Sequence, residues 1–278
     1  MSQRDREVRI LPFFRARSQQ PNESLNNVWM LTTEDTEERH DRGGETPPCH
    51  TIVPMPCKPE TVFFDVGNTL LFPNRRIIHA PLQERKLVPS QQLLHSVERR
   101  TKKEFDALQQ NGEADHSFWY LFYTHLLEEL GIADDALRDA LVGATRNSAN
   151  WGEMRPGTRE ALERIGERYR IGVISNADGK IAAVLEQNQI ADCFLSITDS
   201  GLVGHEKPDP AIFQSALRAM QAVPGESLYV GDVYSVDYLG ATSVGMQAML
   251  FDVSGAYQET DLPRVESLEQ LERRLDTR

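Results

Sequence analysis

Asp65 follows a short apolar run, Thr61-Val62-Phe63-Phe64, and opens a glycine-containing turn, Val66-Gly67-Asn68-Thr69. Ser175 and Asn176 close a second such run, Ile171-Gly172-Val173-Ile174. Asp232 follows a third, residues 228–231, with Asp237 five positions further on, and Lys207 stands in a loop ahead of a helical segment. The chemistry of this set is coherent. A carboxylate can act as a nucleophile and form an acyl-phosphate intermediate. Asp232 together with Asp65 can hold a hard divalent cation, because Mg²⁺ commonly takes one or two carboxylates, phosphate oxygens and waters. Lys207 and the Ser175 hydroxyl can neutralise and orient the equatorial oxygens of a transferring phosphoryl group. Backbone N–H groups of the Gly67-Asn68-Thr69 turn can do likewise.

The elements that must bring these residues together are legible as an alternation. Short apolar strands are expected at 61–64, 171–175, 194–197, 228–231 and 246–251, and helices at 157–168, 179–188, 210–221, 235–243 and 267–275. Strands alternating with amphipathic helices imply right-handed crossovers and a parallel sheet covered on both faces, an α/β class. In such sheets ligands bind beyond the carboxyl ends of the strands, where Asp65, Ser175, Asn176 and Asp232 fall. From 73 to 152 the sequence reads as helical with no strand, with helix-period segments at 90–110, 116–130 and 134–147 separated at Gly112 and Gly131. The expected organisation is therefore an α/β core of 58–72 plus 153–278, with an all-helical block, 73–152, inserted after the first strand. The aromatic cluster Phe118-Trp119-Tyr120 with Phe122-Tyr123 reads as helix-packing core rather than as a ligand platform.

Four segments also carry a family resemblance. Phe64-Asp65-Val66-Gly67-Asn68-Thr69-Leu70, Ile174-Ser175-Asn176-Ala177-Asp178-Gly179, Glu206-Lys207-Pro208-Asp209-Pro210 and Gly231-Asp232-Val233-Tyr234-Ser235-Val236-Asp237 resemble, in order, the four motifs of the haloacid dehalogenase-like (HAD) hydrolases. The match spans about 61–255, and the helical insert resembles the superfamily's C1 cap over a Rossmann-like core. The resemblance implies Asp65 as nucleophile and metal ligand, the Gly67 carbonyl and Asp232 as further ligands of a Mg²⁺ ion, and Asp237 as support for the metal's waters or for Lys207. It implies Ser175 and Asn176 as phosphoryl-binding groups and Lys207 as the cation that balances the nucleophile. Asn68 and Thr69 of the first turn join the substrate-binding set. Asp209-Pro210 reads as a helix N-cap followed by proline at the first helical position.

One departure stands out. The superfamily's phosphatases usually carry a second Asp two residues after the nucleophile, which protonates the leaving group and later activates water. Gly67 occupies that position and can do neither. General acid–base help is worth about 10²–10⁴-fold, roughly 3–5 kcal/mol of barrier. The principal expectation is a Mg²⁺-dependent phosphatase acting on a small phosphorylated molecule. Its proton donor would be another residue, with His79, His95, His116 and His125 of the insert as candidates, or its leaving groups would need none, as with acyl and phenolic phosphates. Gly67→Asp is then expected to raise activity. An alternative is a 2-haloacid dehalogenase, which also lacks the second Asp but needs no metal and typically has Ser-Asn where this chain has Gly231-Asp232. Another is a phosphate- or metal-binding regulatory protein with little turnover.

Composition sets the outer bounds. Lys and Arg total 30 against 42 Asp and Glu, a formal charge of −12, which disfavours a nucleic-acid partner. No uncharged run reaches the roughly 18 residues of a membrane span. Three cysteines, Cys49, Cys57 and Cys193, give no even disulfide framework and fit a reducing, cytoplasmic setting. Cys49-His50 and Cys57 lack a second nearby Cys/His pair, so no zinc site is expected. Residues 1–57 show neither helix nor strand periodicity and are expected to be a disordered extension, with Met55 as an alternative start. A monomer or a homodimer is equally compatible with the sequence.

Overall fold

In the computed structural model of the protein, every long-range strand pairing of the main sheet is parallel. The structure describes residues 57–111 and 118–276, which belong to one compact unit. The expectations for residues 1–56 and for His116 lie outside the described residues. Strands are β1 (Thr61–Phe64), β2 (Phe72–Pro73), β3 (Trp151–Glu153), β4 (Arg170–Ser175), β5 (Ser196–Asp199), β6 (Ser227–Gly231), β7 (Gln247–Phe251) and β8 (Arg264–Val265). Helices are α1 (Arg75–Ile78), α2 (Ala80–Glu84), α3 (Gln91–Asn111), α4 (Phe118–Glu129), α5 (Asp135–Arg146), α6 (Thr158–Gly166), α7 (Ile181–Gln187), α8 (Ser200–Val203), α9 (Pro210–Ala219), α10 (Leu239–Ser243) and α11 (Leu268–Asp276).

The six-stranded sheet runs β5-β4-β1-β6-β7-β8. β1 lies at its centre because all four of its residues are apolar or fully paired, TVFF being buried throughout. Its alternation sends Val62 and Phe64 into one core with α6, α7 and α11, and Phe63 into a second core with Ile212, Phe213 and Tyr229. The strand order reverses direction at β1, between β4 and β6, which is where an open α/β sheet leaves a crevice at its carboxyl edge. Pairing of Phe64 with Val173 and with Val230 aligns Asp65 with the ends of β4 and β6.

Helices α1–α5 lie between β2 and β3 and pack around their own core of Ile78, Leu82, Leu94, Val97, Phe122, Tyr123, Leu126, Leu127, Leu137 and Leu141. The segment is not wholly helical. β2 and β3, the inbound and outbound linkers of this block, pair antiparallel, Phe72 with Glu153 and Pro73 with Trp151. A two-residue strand containing proline is too short to show any period, which is why the sequence reads through it. β5 also begins at Ser196 rather than at Phe194, whose side chain packs into the core from a 3₁₀ turn instead. The expected helix over 235–243 opens with a π-helical turn, Tyr234–Tyr238, before α10. Among the described residues no helix is long and apolar enough to cross a membrane.

Candidate active site

Lys207 organises the centre of the site. Its buried ammonium donates to Asp65 Oδ1 at 2.7 Å, to Asp237 Oδ1 at 2.8 Å and to the Tyr229 hydroxyl at 2.7 Å, which uses all three of its protons. Burial alone would push its pKa down, but Asp237 and Asp65 hold it above the ordinary lysine value. Asn176 fixes the backbone from which Lys207 projects, accepting from Lys207 N at 2.7 Å and donating to Lys207 O at 3.0 Å. Asp237 is clamped in turn. Its Oδ2 accepts from the backbone N–H groups of Asp232 at 3.0 Å and Val233 at 2.9 Å. The π-helical turn swings Asp237 back under β6, and Gly231 is the residue that permits it. A Cβ on Gly231 would lie 2.5 Å from Asp237 Cγ, far inside contact distance.

Asp65, Asp232 and Asp237 bring carboxylate oxygens within 4.8 Å of one another, all three residues buried. Desolvation pushes Asp65 up to about 7, against the pull of Lys207 and with Asp237 and Asp232 adding to the rise. Desolvation likewise raises Asp232 to about 6, against the pull of a second lysine, Lys102. Lys102 comes from α3 of the inserted block and is fully buried, 2.9 Å from Glu98 Oε1 and 3.0 Å from Asp232 Oδ2. Two ammoniums thus stand among four carboxylates, which leaves two negative charges in excess when all are ionised. A desolvated, oxygen-only donor set with that surplus suits one hard divalent cation.

The other expected residues divide. Ser175, Asn176, Gly67 and Asn68 line the same cavity as Asp65, Lys207, Asp232 and Asp237, a space of about 590 Å³. Asn68 adopts a left-handed backbone, φ 53°, which asparagine tolerates better than other side-chain-bearing residues, and its Nδ2 points to Asp232 Oδ2 at 3.4 Å. Thr69 is corrected. It is buried away from the cavity, and its N–H bonds Val66 O at 3.3 Å, while the Asn68 N–H bonds Leu71 O at 2.9 Å. The turn spends these two donors on itself, so neither reaches a phosphate. Asp209 caps α9, accepting from Ala211 N at 2.8 Å ahead of Pro210.

None of the three described histidines proposed as donors lines this cavity. His79 is buried against Tyr123, and burial beside Arg75 lowers it to about 4. His125 is buried between Thr101 and Glu104, and His95 borders a smaller space of about 210 Å³ that also touches Asn68. The aromatic cluster is split as well. Phe122 and Tyr123 are core, whereas Phe118 and Trp119 line the cavity with Trp151 and Phe105.

Several contributors escaped the sequence reading. Tyr229 also contacts Ile174 O at 3.2 Å and Asp237 Oδ1 at 3.1 Å. Asp199, at the end of β5, accepts from Gly179 N, Ile181 N and Gly201 N and so holds the loop after Ser175. Tyr229 lies inside an apolar run, and Lys102 inside the charge-rich Glu98-Arg99-Arg100-Thr101-Lys102-Lys103-Glu104. The signal that could have flagged α3 is its spacing: Glu98, Lys102 and Asp106 at i, i+4, i+8 share one stripe.

Residues 59–245 match the haloacid dehalogenase-like hydrolase family. The chain belongs to that family. Over 145 residues it is 28% identical to haloacid dehalogenase-like hydrolase domain-containing protein 3 of Bos taurus, covering 50% of this chain and 57% of that one. Over 109 residues it is 36% identical to a glyceraldehyde 3-phosphate phosphatase of Pyrococcus furiosus, covering 38% and 45%. The chain therefore spans only about half the length of these curated relatives. In fold it is similar to the HAD hydrolase YfnB of Bacillus subtilis, solved bound to magnesium, with a TM-score of 0.60 and 16% identity over 80% of this chain and all of that one. As a member of that family, this protein carries a parallel sheet with flanking helices.

Proposed function

We propose that this HAD hydrolase is a Mg²⁺-dependent phosphatase of small phosphorylated metabolites, working through an aspartyl-phosphate on Asp65. The observation that carries the reading is the Asp65–Lys207–Asp237 arrangement at the carboxyl end of β1, with Lys207 2.7 Å from the Asp65 oxygen. Lys207 aims Asp65 and opposes the protonation that its burial favours, and Ser175 and Asn176 line the side from which phosphoryl oxygens would be gripped. Asp65, Asp232 and the Gly67 carbonyl would hold the Mg²⁺ ion, with Asp237 keeping Lys207 and the Asp232 loop in place. The bound cation would neutralise the charge of nucleophile and phosphate as they approach. The relatives named above include a phosphatase, which supports the same reaction class. Residues 73–152 serve as the cap and 58–72 plus 153–278 as the core. The net negative charge and the free thiols of Cys57 and Cys193 fit a cytoplasmic enzyme.

The test is hydrolysis of acetyl phosphate and p-nitrophenyl phosphate with Mg²⁺ and with EDTA, beside Asp65→Asn. The expected result is turnover that needs Mg²⁺ and falls by at least about 10³-fold in Asp65→Asn. Halide release from 2-haloacids that persists in EDTA would replace the reading with a dehalogenase. Mg²⁺-dependent thermal stabilisation with no turnover of either phosphate would replace it with a binding protein.

A further inference from the structure

The space where a second catalytic carboxylate would stand is filled by an indole. A Cβ built on Gly67 would meet Trp151 Cζ3 at 3.3 Å, with Cη2 at 3.5 Å. Trp151 is held there by its own Nε1, which donates to Thr145 O at 2.7 Å, and by Trp119, whose ring centroid lies 5.5 Å away. Phe118 continues the wall 5.1 Å from Trp119, and Phe105 lies 5.7 Å from Phe118. All four rings line the cavity that holds Asp65. The glycine that leaves the proton donor out thus also leaves room for one ring of an aromatic wall.

We propose that the natural substrates are aryl phosphates: monoesters of a flat phenolic ring that seats among Trp151, Trp119, Phe118 and Phe105. This rests on the phosphatase reading and narrows its substrate class. A phenolate is a weak enough base to leave as an anion without a donor, whereas an alkoxide is too basic to do so. Acyl phosphates share that property but bring no ring to four aromatic side chains, which prefer offset or edge-to-face partners. In the first step the Asp65 carboxylate attacks phosphorus and the P–O bond to the ring breaks, its electron pair leaving on the phenolate, which takes a proton from bulk water. In the second, water adds to phosphorus and the P–O bond to Asp65 breaks, returning its electron pair to the carboxylate. Both hydrogens of that water leave on dihydrogen phosphate.

The experiment compares two substrates of equal size, phenyl phosphate and cyclohexyl phosphate, with acetyl phosphate as the reference for a working nucleophile. The corresponding phosphonates, phenyl and cyclohexyl, are tested as competitive inhibitors of acetyl phosphate hydrolysis. The full chain with Mg²⁺ is expected to prefer phenyl over cyclohexyl phosphate by at least about 100-fold in kcat/KM. It is expected to bind phenylphosphonate about tenfold more tightly than cyclohexylphosphonate. Trp119→Leu, which keeps apolar bulk but removes the ring, is expected to bring that binding ratio close to one. Equal binding of the two phosphonates by the natural protein overturns the proposal even if the turnover ratio holds, because turnover alone reads leaving-group basicity. Cyclohexyl phosphate turned over within about threefold of phenyl phosphate also overturns it. That outcome would assign a proton donor, for which Asp178 lines the cavity. Failure to hydrolyse acetyl phosphate at all would instead bring down the phosphatase reading itself.

Discussion

At the scale of single residues, Gly67 and Trp151 act as a pair. The sequence alone suggests that Gly67→Asp restores missing acid–base help, but the contact with Trp151 changes the expectation. At 3.3 Å from the new Cβ, the indole must shift before any carboxylate fits, and its hydrogen bond to Thr145 O resists the shift. Gly67→Asp alone is expected to lose about 1–3 kcal/mol of stability by overpacking and to gain no alkyl phosphatase activity. Gly67→Asp combined with Trp151→Ala is expected to gain at least about tenfold in kcat on an alkyl phosphate relative to Trp151→Ala alone. Urea titration and steady-state kinetics read the two effects separately. The convergence of Asp65, Lys207, Asp232 and Asp237 was legible in the sequence because each directly follows a short apolar run or sits in a distinctive local string. Trp151, Tyr229 and Lys102 were not, because what makes them matter is a partner far along the chain. Lys102 meets Asp232 across 130 positions, and no local pattern encodes that meeting.

At the scale of elements, α3 is tied to the core by the polar stripe Glu98, Lys102 and Asp106. Beside the Lys102–Asp232 pair, Asp106 Oδ1 accepts from Ser235 N at 2.9 Å and Asp106 Oδ2 accepts from the Tyr257 hydroxyl at 2.9 Å. Arg99 adds a bond to Ser254 O at 2.9 Å. The inserted helical block and the segment after β6 are thus joined through charge as well as through the small apolar cluster of Phe105, Leu121 and Val233. Lys102→Met leaves Glu98 and Asp232 without their shared cation, and without metal it is expected to cost about 3–5 kcal/mol. Mg²⁺ is expected to restore part of that loss, since it offers Asp232 another cation. Glu98→Gln together with Lys102→Met is expected to cost less than Lys102→Met alone. Chemical denaturation of the three proteins in EDTA and in Mg²⁺ checks the order. The α/β alternation and the position of the helical insert were readable from periodicity. The β2–β3 pairing and the π-helical turn were not, because strands of two and three residues and single turns carry no period.

At the scale of the whole molecule, the buried carboxylates link stability to pH. Asp65 is raised to about 7 and Asp232 to about 6, so the folded protein holds protons that the unfolded chain, with carboxyls near 3.8, gives up. Such groups favour the folded state at low pH, and that contribution is lost as pH rises from about 4 through about 7. Mg²⁺ held by these carboxylates, as proposed, would have to displace those protons. The rise in Tm on adding Mg²⁺ is therefore expected to be larger at pH 8 than at pH 5, with proton release on binding at the lower pH. Calorimetric titration in two buffers of different ionisation enthalpy measures the protons directly, and an equal rise in Tm at both pH values would contradict the linkage.

The aromatic wall has a spectroscopic consequence. The chain has three tryptophans, and both of those among the described residues, Trp119 and Trp151, stand 5.5 Å apart on the lining of one cavity. Neighbouring indoles at that spacing exchange excitation energy, and their emission colour follows the polarity of whatever lies beside them. The emission of these two tryptophans is therefore an optical gauge of the cavity, needing no dye and no chromogenic substrate.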